Sequence, residues 1–342
     1  MNRHIVTTSV IRMLNSGAIA AMMMIFAASP SSAQQSGAMS IVHDIKLAGP
    51  TEAVSPDGGS LVYFKPGSGL LIRTVDNGSE HLLLKNIGKQ IPLDAFENIV
   101  FSPDGKKLFF TAGVMGRGYA RAIYSINLDG SGLTQLAPGT SGPPTKVGNT
   151  QQYDYDYDGL AISPDGSRLA VGIMTTEGKA DKDGIPSHSG DGHYIAIVPT
   201  AVTRQNPEKV VTGYSPIWSI DGTALLYHTK QDGEERLNLQ TKQSEPVTLQ
   251  GKVLGRIDDT GNALVVNHIA GAESLAIQSI DSDVSGTGTK QLSEQAIASI
   301  PLTDATTKDR LQAVQYGSRN QLWLFYRGSG TSHVQLVNFQ GE

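Results

Sequence analysis

The chain has 342 residues, with 27 basic and 32 acidic side chains, a formal charge of −5 and no cysteine. No basic clustering marks a nucleic-acid footprint, and without cysteine there are neither disulfides nor a lipid-anchoring residue. An oxidising compartment would have to be met by core packing alone.

Residues 1–33 read as a secretory signal peptide. Arg3 and Arg12 form a basic start, Met13 to Ala28 is mostly apolar, and Ser31-Ser32-Ala33 offers small residues for cleavage after Ala33. The apolar run is interrupted by Asn15, Ser16 and Gly17 and falls short of the ~20 residues of a membrane span, as does every later segment. The expected location is therefore periplasmic or secreted, with residues 34–39 as a short extension and 40–342 as one domain.

That domain is built on a repeated word. Val54-Ser55-Pro56-Asp57-Gly58, Phe101-Ser102-Pro103-Asp104-Gly105 and Ile162-Ser163-Pro164-Asp165-Gly166 are close copies. Trp218-Ser219-Ile220-Asp221-Gly222 is weaker, and Asp258-Asp259-Thr260-Gly261 is degenerate. In the first three copies, proline presets φ for a type I turn; in all four intact words glycine takes the positive-φ position that follows. The aspartates Asp57, Asp104, Asp165 and Asp221 are read as turn-binding groups, not as catalytic carboxylates. Each glycine precedes a leucine by three residues, giving Leu61, Leu108, Leu169, Leu225 and Leu264, with Leu322 as a sixth member. The units recur about every 50 residues, somewhat above the ~40–45 of a compact propeller blade.

Each unit contains four short strand patterns separated by turn residues. In the second they run through Asn98–Ser102, Lys107–Thr111, Ala122–Ile126 and Leu133–Leu136. No stretch has sustained helical periodicity. The expected fold is all-β: a six-bladed β-propeller of four-stranded antiparallel blades. The last unit supplies strands only at Leu311–Gln315, Gln321–Tyr326 and His333–Phe339. Residues 40–45 are therefore expected to close the ring by pairing with 333–339 and covering an edge.

The repeated word, preceded by an apolar strand and followed by a charged or small pair and leucine, resembles the WD-like repeats of TolB-type six-bladed propellers. The resemblance covers the propeller portion, nearly all of the chain after residue 33. It implies that fold and a habit of binding proteins.

The most unusual stretch is Tyr153-Asp154-Tyr155-Asp156-Tyr157-Asp158-Gly159. Asp154, Asp156, Asp158 and Gly159 match the first half of a calcium loop, with Asp165 at the twelfth position. An extended strand from Leu160 to Ser163 would carry Asp165 roughly 20 Å away. The three aspartates therefore stand as candidate calcium ligands of another shape, and calcium is the one cofactor in view. Strand alternation would put three aspartates on one face and three tyrosines on the other. Asp94, Phe96 and Glu97 enter the second unit in a comparable way, and Tyr214 and Trp218 flank the inner strand of the fourth. The favoured partner-binding set is Tyr153 to Asp158 with Asp94, Glu97 and Tyr214, an acidic, aromatic channel mouth suited to a basic or amine-bearing protein or peptide.

The longest insertion, Thr175 to His193, holds His188 and His193 among glycines and aspartates without metal-ligand spacing, and reads as a surface loop. His228 and His268 lie on second strands of neighbouring units, one register step apart, and make poor joint ligands. The chain has no Gly-x-Ser-x-Gly elbow, phosphate loop or His-Glu-x-x-His motif. The sequence thus points to a monomeric, non-catalytic binding module. A metal-dependent propeller enzyme (polysaccharide lyase or hydrolase) with its site in the channel, and a solute-binding sensor, are the competing classes.

Overall fold

The structure, a computed structural model, describes residues 40–49, 51–65, 67–85, 96–113, 121–137, 145–147, 150–178, 192–201, 207–219, 221–231, 233–247, 252–256, 262–269, 272–279, 295–298, 310–316, 321–327 and 332–338. The leader, the extension 34–39, Asp94, His188 and the degenerate word at 258–261 lie outside them. In several strands, including 145–156, 158 and 252–298, only the backbone is described.

The described residues contain strands and no helix, as the alternating patterns and dense turn residues require. β1 (Ser40–Leu47) precedes the first sheet, formed by β2 (Thr51–Val54), β3 (Ser60–Lys65), β4 (Gly69–Thr74) and β5 (Glu80–Leu84). The second sheet contains β6 (Phe96–Phe101), β7 (Lys107–Gly113), β8 (Arg121–Asn127) and β9 (Thr134–Ala137). The third contains β10 (Thr145–Val147), β11 (Thr150–Ile162), β12 (Arg168–Gly178), β13 (Gly192–Pro199) and β14 (Glu208–Thr212). Next come β15 (Tyr214–Trp218), β16 (Ala224–His228), β17 (Glu234–Asn238) and β18 (Ser244–Val247). The fifth sheet has β19 (Lys252–Arg256), β20 (Asn262–Ile269), β21 (Ala272–Ser279) and β22 (Gln295–Ala298). β23 (Arg310–Tyr316), β24 (Gln321–Arg327) and β25 (Ser332–Asn338) make up the last with β1.

These antiparallel sheets are arranged as a propeller. First strands adjoin first strands from sheet to sheet: β2 meets β6, β6 meets β11, β11 meets β15, and β19 meets β23. Five of the sheets have four strands, as the repeat implied. The third departs from it with five, because the β10–β11 hairpin adds Thr145–Val147 to the free side of the first strand.

The first and last described strands share a sheet. β1 pairs antiparallel with β25, from Ser40 opposite Asn338 to Leu47 opposite Ser332. Ile45 and Leu47 are buried there with Trp323, Phe325, Val334 and Leu336, while the Ser332 hydroxyl donates to the Gly49 carbonyl and His333 contacts Asp44. Burial of a few such side chains, at about 1.5–3 kcal/mol each, outweighs the two polar contacts in holding β1.

Where side chains are described, the core lies between sheets. Leu61, Leu108, Leu169, Leu225 and Leu322 are all fully buried, which is why the leucine recurs. Phe109 and Ile123 of the second sheet pack against Leu169, Val171 and Ile173 of the third, and Ala170 and Ile195 of the third pack against Trp218 and Leu225 of the fourth.

Candidate functional site: the open ends of the first strands

A first strand has two ends, and the turn end is closed. In the third sheet the Ser163 hydroxyl donates to Asp165 Oδ1 at 2.6 Å and accepts the Arg168 amide at 2.9 Å. The Gly166 amide bonds the Ser163 carbonyl at 2.8 Å, and the same aspartate oxygen accepts the Ser167 amide at 3.0 Å. The Ser163 hydroxyl, followed by the amide and the hydroxyl of Ser167, pulls the Asp165 carboxyl down to about 2. Ser55/Asp57, Ser102/Asp104 and Ser219/Asp221 repeat the arrangement, with each carboxyl lowered chiefly by its serine. These aspartates are scaffold, as the turn chemistry indicated.

The turns also touch one another. A Cβ on Gly105 would lie 3.6 Å from Pro56, one on Gly166 3.3 Å from Pro103, and one on Gly222 3.6 Å from Pro164. Each word therefore abuts the proline of the preceding one. Arg168 adds a cross-sheet bond of 2.8 Å to the Gly222 carbonyl and lies over Trp218, whose indole donates to the Ala161 carbonyl at 3.0 Å. Trp218 is thus buried at the turn end, not part of an aromatic mouth.

Four residues before the turn serine, the chain takes a second recurrent shape. Asn98, Gly159 and Ser215 have φ of 55°, 72° and 54°, each beside a register shift in β6, β11 and β15. Such left-handed residues in bulges re-aim a strand and tighten its twist. Bulges adjoin between sheets: the Asn98 side-chain Nδ2 donates to the Tyr157 carbonyl at 3.4 Å, and a Cβ on Gly159 would lie 3.8 Å from Ser215 Cα. The signal in the sequence was a small or polar residue at that fixed offset, too degenerate to read without the coordinates.

This bulge gives the expected site residues a common address. Glu97, Asp158 and Tyr214 each immediately precede the left-handed residue of their strand, so two acidic residues and a tyrosine hold one register position in three successive sheets. Phe96 stands one step further out, opposite Ala112.

The third sheet then departs from its neighbours. β6 has 6 residues and β15 has 5, but β11 has 13 and β12 has 11. Pairing runs from Ile162 opposite Leu169 out to Gln151 opposite Gly178, with β10 along the far end. Residues 150–156 therefore extend beyond the start of the neighbouring first strands, by about 20 Å at ~3.3 Å per residue. Tyr153 to Asp156 lie in this β-arm. The expected insertion loop is corrected too: Thr175–Gly178 and Gly192–His193 belong to strands, with Thr175 opposite Gly192.

Two further expectations change. Register shifts between Asp154 and Asp156 and between Asp158 and Leu160 interrupt the simple alternation of aspartates and tyrosines. Tyr157 is 2% exposed, packed between the second and third sheets, and is therefore a core residue instead of a rim residue. A twelve-residue calcium loop ending at Asp165 does not form, because the backbone stays paired from Asp154 to Ile162 and Asp165 is held in its own turn.

At the root of the arm, side chains of two sheets meet. His193, opposite Met174, has its ring 5.4 Å from that of Tyr214, and Tyr214 stacks on His228 at 5.3 Å. Tyr214 is positioned by Gly213, where a Cβ would come within 2.4 Å of the Tyr227 ring and 2.6 Å of the His228 carbonyl. His228 in turn faces Glu234. Along the chain His193 lies near His188, and His228 holds a strand position like that of His268. Tertiary packing instead joins His193 to His228 through Tyr214, a proximity that spacing along the chain does not reveal.

No family model matches the chain, and neither does any curated protein. Among solved structures, a gluconolactonase from Xanthomonas campestris is similar, with 13% identity, a TM-score of 0.51, and coverage of 90% of this chain and 91% of that one. A prolyl endopeptidase structure has 15% identity and a TM-score of 0.49 over 85% of this chain; the chain spans only 41% of that protein's length. A putative TolB from Agrobacterium tumefaciens has 13% identity and a TM-score of 0.44, covering 87% of this chain and 91% of that one. At these identities the likeness is one of fold: the chain is an all-β propeller.

Proposed function

We propose that the chain is a secreted or periplasmic, non-catalytic β-propeller of six blades, closed by β1, that binds a basic protein or peptide through the arm of its third sheet. One observation carries this reading: β11 and β12 outgrow every neighbouring first hairpin, and the added length holds the Tyr153–Asp156 segment. An acidic segment steers a cationic partner, and tyrosines beside it add cation–π contact with the partner's lysine or arginine side chains. Glu97, Asp158 and Tyr214, sharing one register position beside the arm's root, continue the same chemistry across three sheets. A structural function for the length is unnecessary, because the second and fourth sheets form without it.

The test is replacement of Asp154, Asp156 and Asp158 by asparagine, followed by capture from an envelope extract with identification by mass spectrometry. The expected result is partner capture that weakens in the variant and loses its salt dependence. Capture that is unchanged in both strength and salt response would make the arm plain scaffold.

A further inference from the structure

The outer edge of the last sheet is longer than that of the others. β1 stands at the end of the order β1–β25–β24–β23, paired with β25 on one side and with no described strand on the other. The outer strands β5, β9, β14, β18 and β22 have 5, 4, 5, 4 and 4 residues, whereas β1 has 8. β1 also carries two of the three exposed large apolar side chains among the described residues, Ile41 at 59% and Val42 at 41%. An open edge presents backbone donors and acceptors to any strand that aligns with it, and folded proteins ordinarily keep such edges short or covered.

The residues of β1 identify the strand that fits. A bulge between Ile41 and His43 interrupts the ladder with β25, but His43 to Leu47 run in unbroken register opposite Leu336 to Ser332. Within this run Ile45 and Leu47 are buried against the first sheet, while Asp44 and Lys46, on the other face by alternation, are exposed. In two antiparallel copies related by a two-fold axis at Ile45, each residue lies opposite the one equally far beyond Ile45 in the other copy. Asp44 then faces Lys46 of the second copy, and Lys46 faces its Asp44, giving two opposite-charge pairs on one face. Moving the axis to Asp44 or to Lys46 opposes like charges instead, which is unfavourable. Asp44 contacts His333 of its own sheet, yet its side chain is 49% exposed and open to a second cation. The same register brings the exposed Val42 toward the exposed Ala48 of the second copy. We propose that β1 is a dimerisation edge, at which two copies of this chain join their last sheets into one continuous antiparallel sheet centred on Ile45. A pairing of 8 residues a side is small beside the ~1,200–2,000 Å² of stable complexes, so the dimer should be concentration-dependent. It replaces the monomer expected from the sequence and involves none of the residues assigned to the arm.

The experiment is sedimentation equilibrium on the full chain from micromolar to millimolar concentration. The unaltered chain should pass from monomer to dimer over that range. Asp44→Lys and Lys46→Asp each set like charges opposite one another, and each should raise the dissociation constant at least about tenfold. An equimolar mixture of the two variants should recover the dimer, because every pair across the two strands is then of opposite sign. Lost stability in either variant cannot produce that recovery. Asp76→Lys, the same change of charge at an exposed turn position, should leave association unchanged. A chain that stays monomeric throughout would leave the edge to an extended segment of another protein, and overturns the proposal. So does a dimer that survives both charge reversals, a mixture as monomeric as its components, or an equal weakening by Asp76→Lys.

Discussion

The two ends of the first strands differ in how they treat polar atoms. At the turn end, the serine hydroxyl, the aspartate carboxylate and the backbone amides form a closed set in four sheets. At the opposite end, the contacts among His193, Tyr214, His228 and Glu234 join single residues of two sheets, and one sheet grows an arm absent from its neighbours. Repeated groups set blade geometry; unrepeated ones are where binding chemistry is sought. The repetition itself separates the two, since architecture must recur around a propeller and a recognition site need not.

Substitutions can break this contrast, starting with the largest effect. Gly213→Ala should destabilise by about 3 kcal/mol, because its Cβ would overlap the Tyr227 ring and the His228 carbonyl, and overpacking of that kind is costly. Urea denaturation would measure it; a loss below about 1 kcal/mol would mean that β15 shifts freely.

Ser163→Ala removes a donor to Asp165 and an acceptor for the Arg168 amide, and should cost about 1–2 kcal/mol on the same measurement. Arg168→Met should cost about 1 kcal/mol through loss of the Gly222 bond and the Trp218 contact. Equal stability of the arginine variant and the unaltered chain would remove Arg168 as a link between the third and fourth sheets.

Acid provides a third probe of the turn end. The Asp165 carboxyl lies at about 2 in the folded chain, below the ~3.9 of an unfolded aspartate, so its contribution is present above about pH 4 and lost as pH falls toward 2. Asp57, Asp104 and Asp221 are shifted in the same direction. Asp165→Asn should flatten the stability–pH curve in that window; an unchanged slope would exclude Asp165 as a contributor.

The smallest stability effect should come from the arm. Replacing Asp154, Asp156 and Asp158 by asparagine should change the unfolding free energy by no more than about 0.5 kcal/mol if the arm serves binding alone. A larger loss would assign those aspartates to the scaffold and erase the distinction between the two ends.

Much of the scaffold was legible beforehand because its determinants are local. A Ser-x-Asp-Gly turn makes its bonds within six residues, so Ser163, Asp165 and Arg168 can be paired on paper. The association of β1 with β25 follows from counting strands in the last unit. The candidate site was less legible. Its general location was read from the Tyr/Asp run, but Tyr157 was assigned to the surface because alternation cannot reveal a neighbouring sheet packed over it. The arm was hidden for a related reason: Thr175–Gly178 has too little apolar pattern to distinguish strand from loop.

The sequence by itself determined the all-β class, the repeat, the turns and the strand that joins the termini, since each depends on short-range geometry or on strand number. Only the tertiary structure decided which residues meet between sheets. His193, Tyr214, His228 and Glu234 come from β13, β15, β16 and β17, and their proximity depends on how separate sheets are registered and bulged. Hydrophobic periodicity encodes which face of a strand is buried. It does not encode which polar groups meet at the strand ends, because that depends on side chains supplied by another sheet.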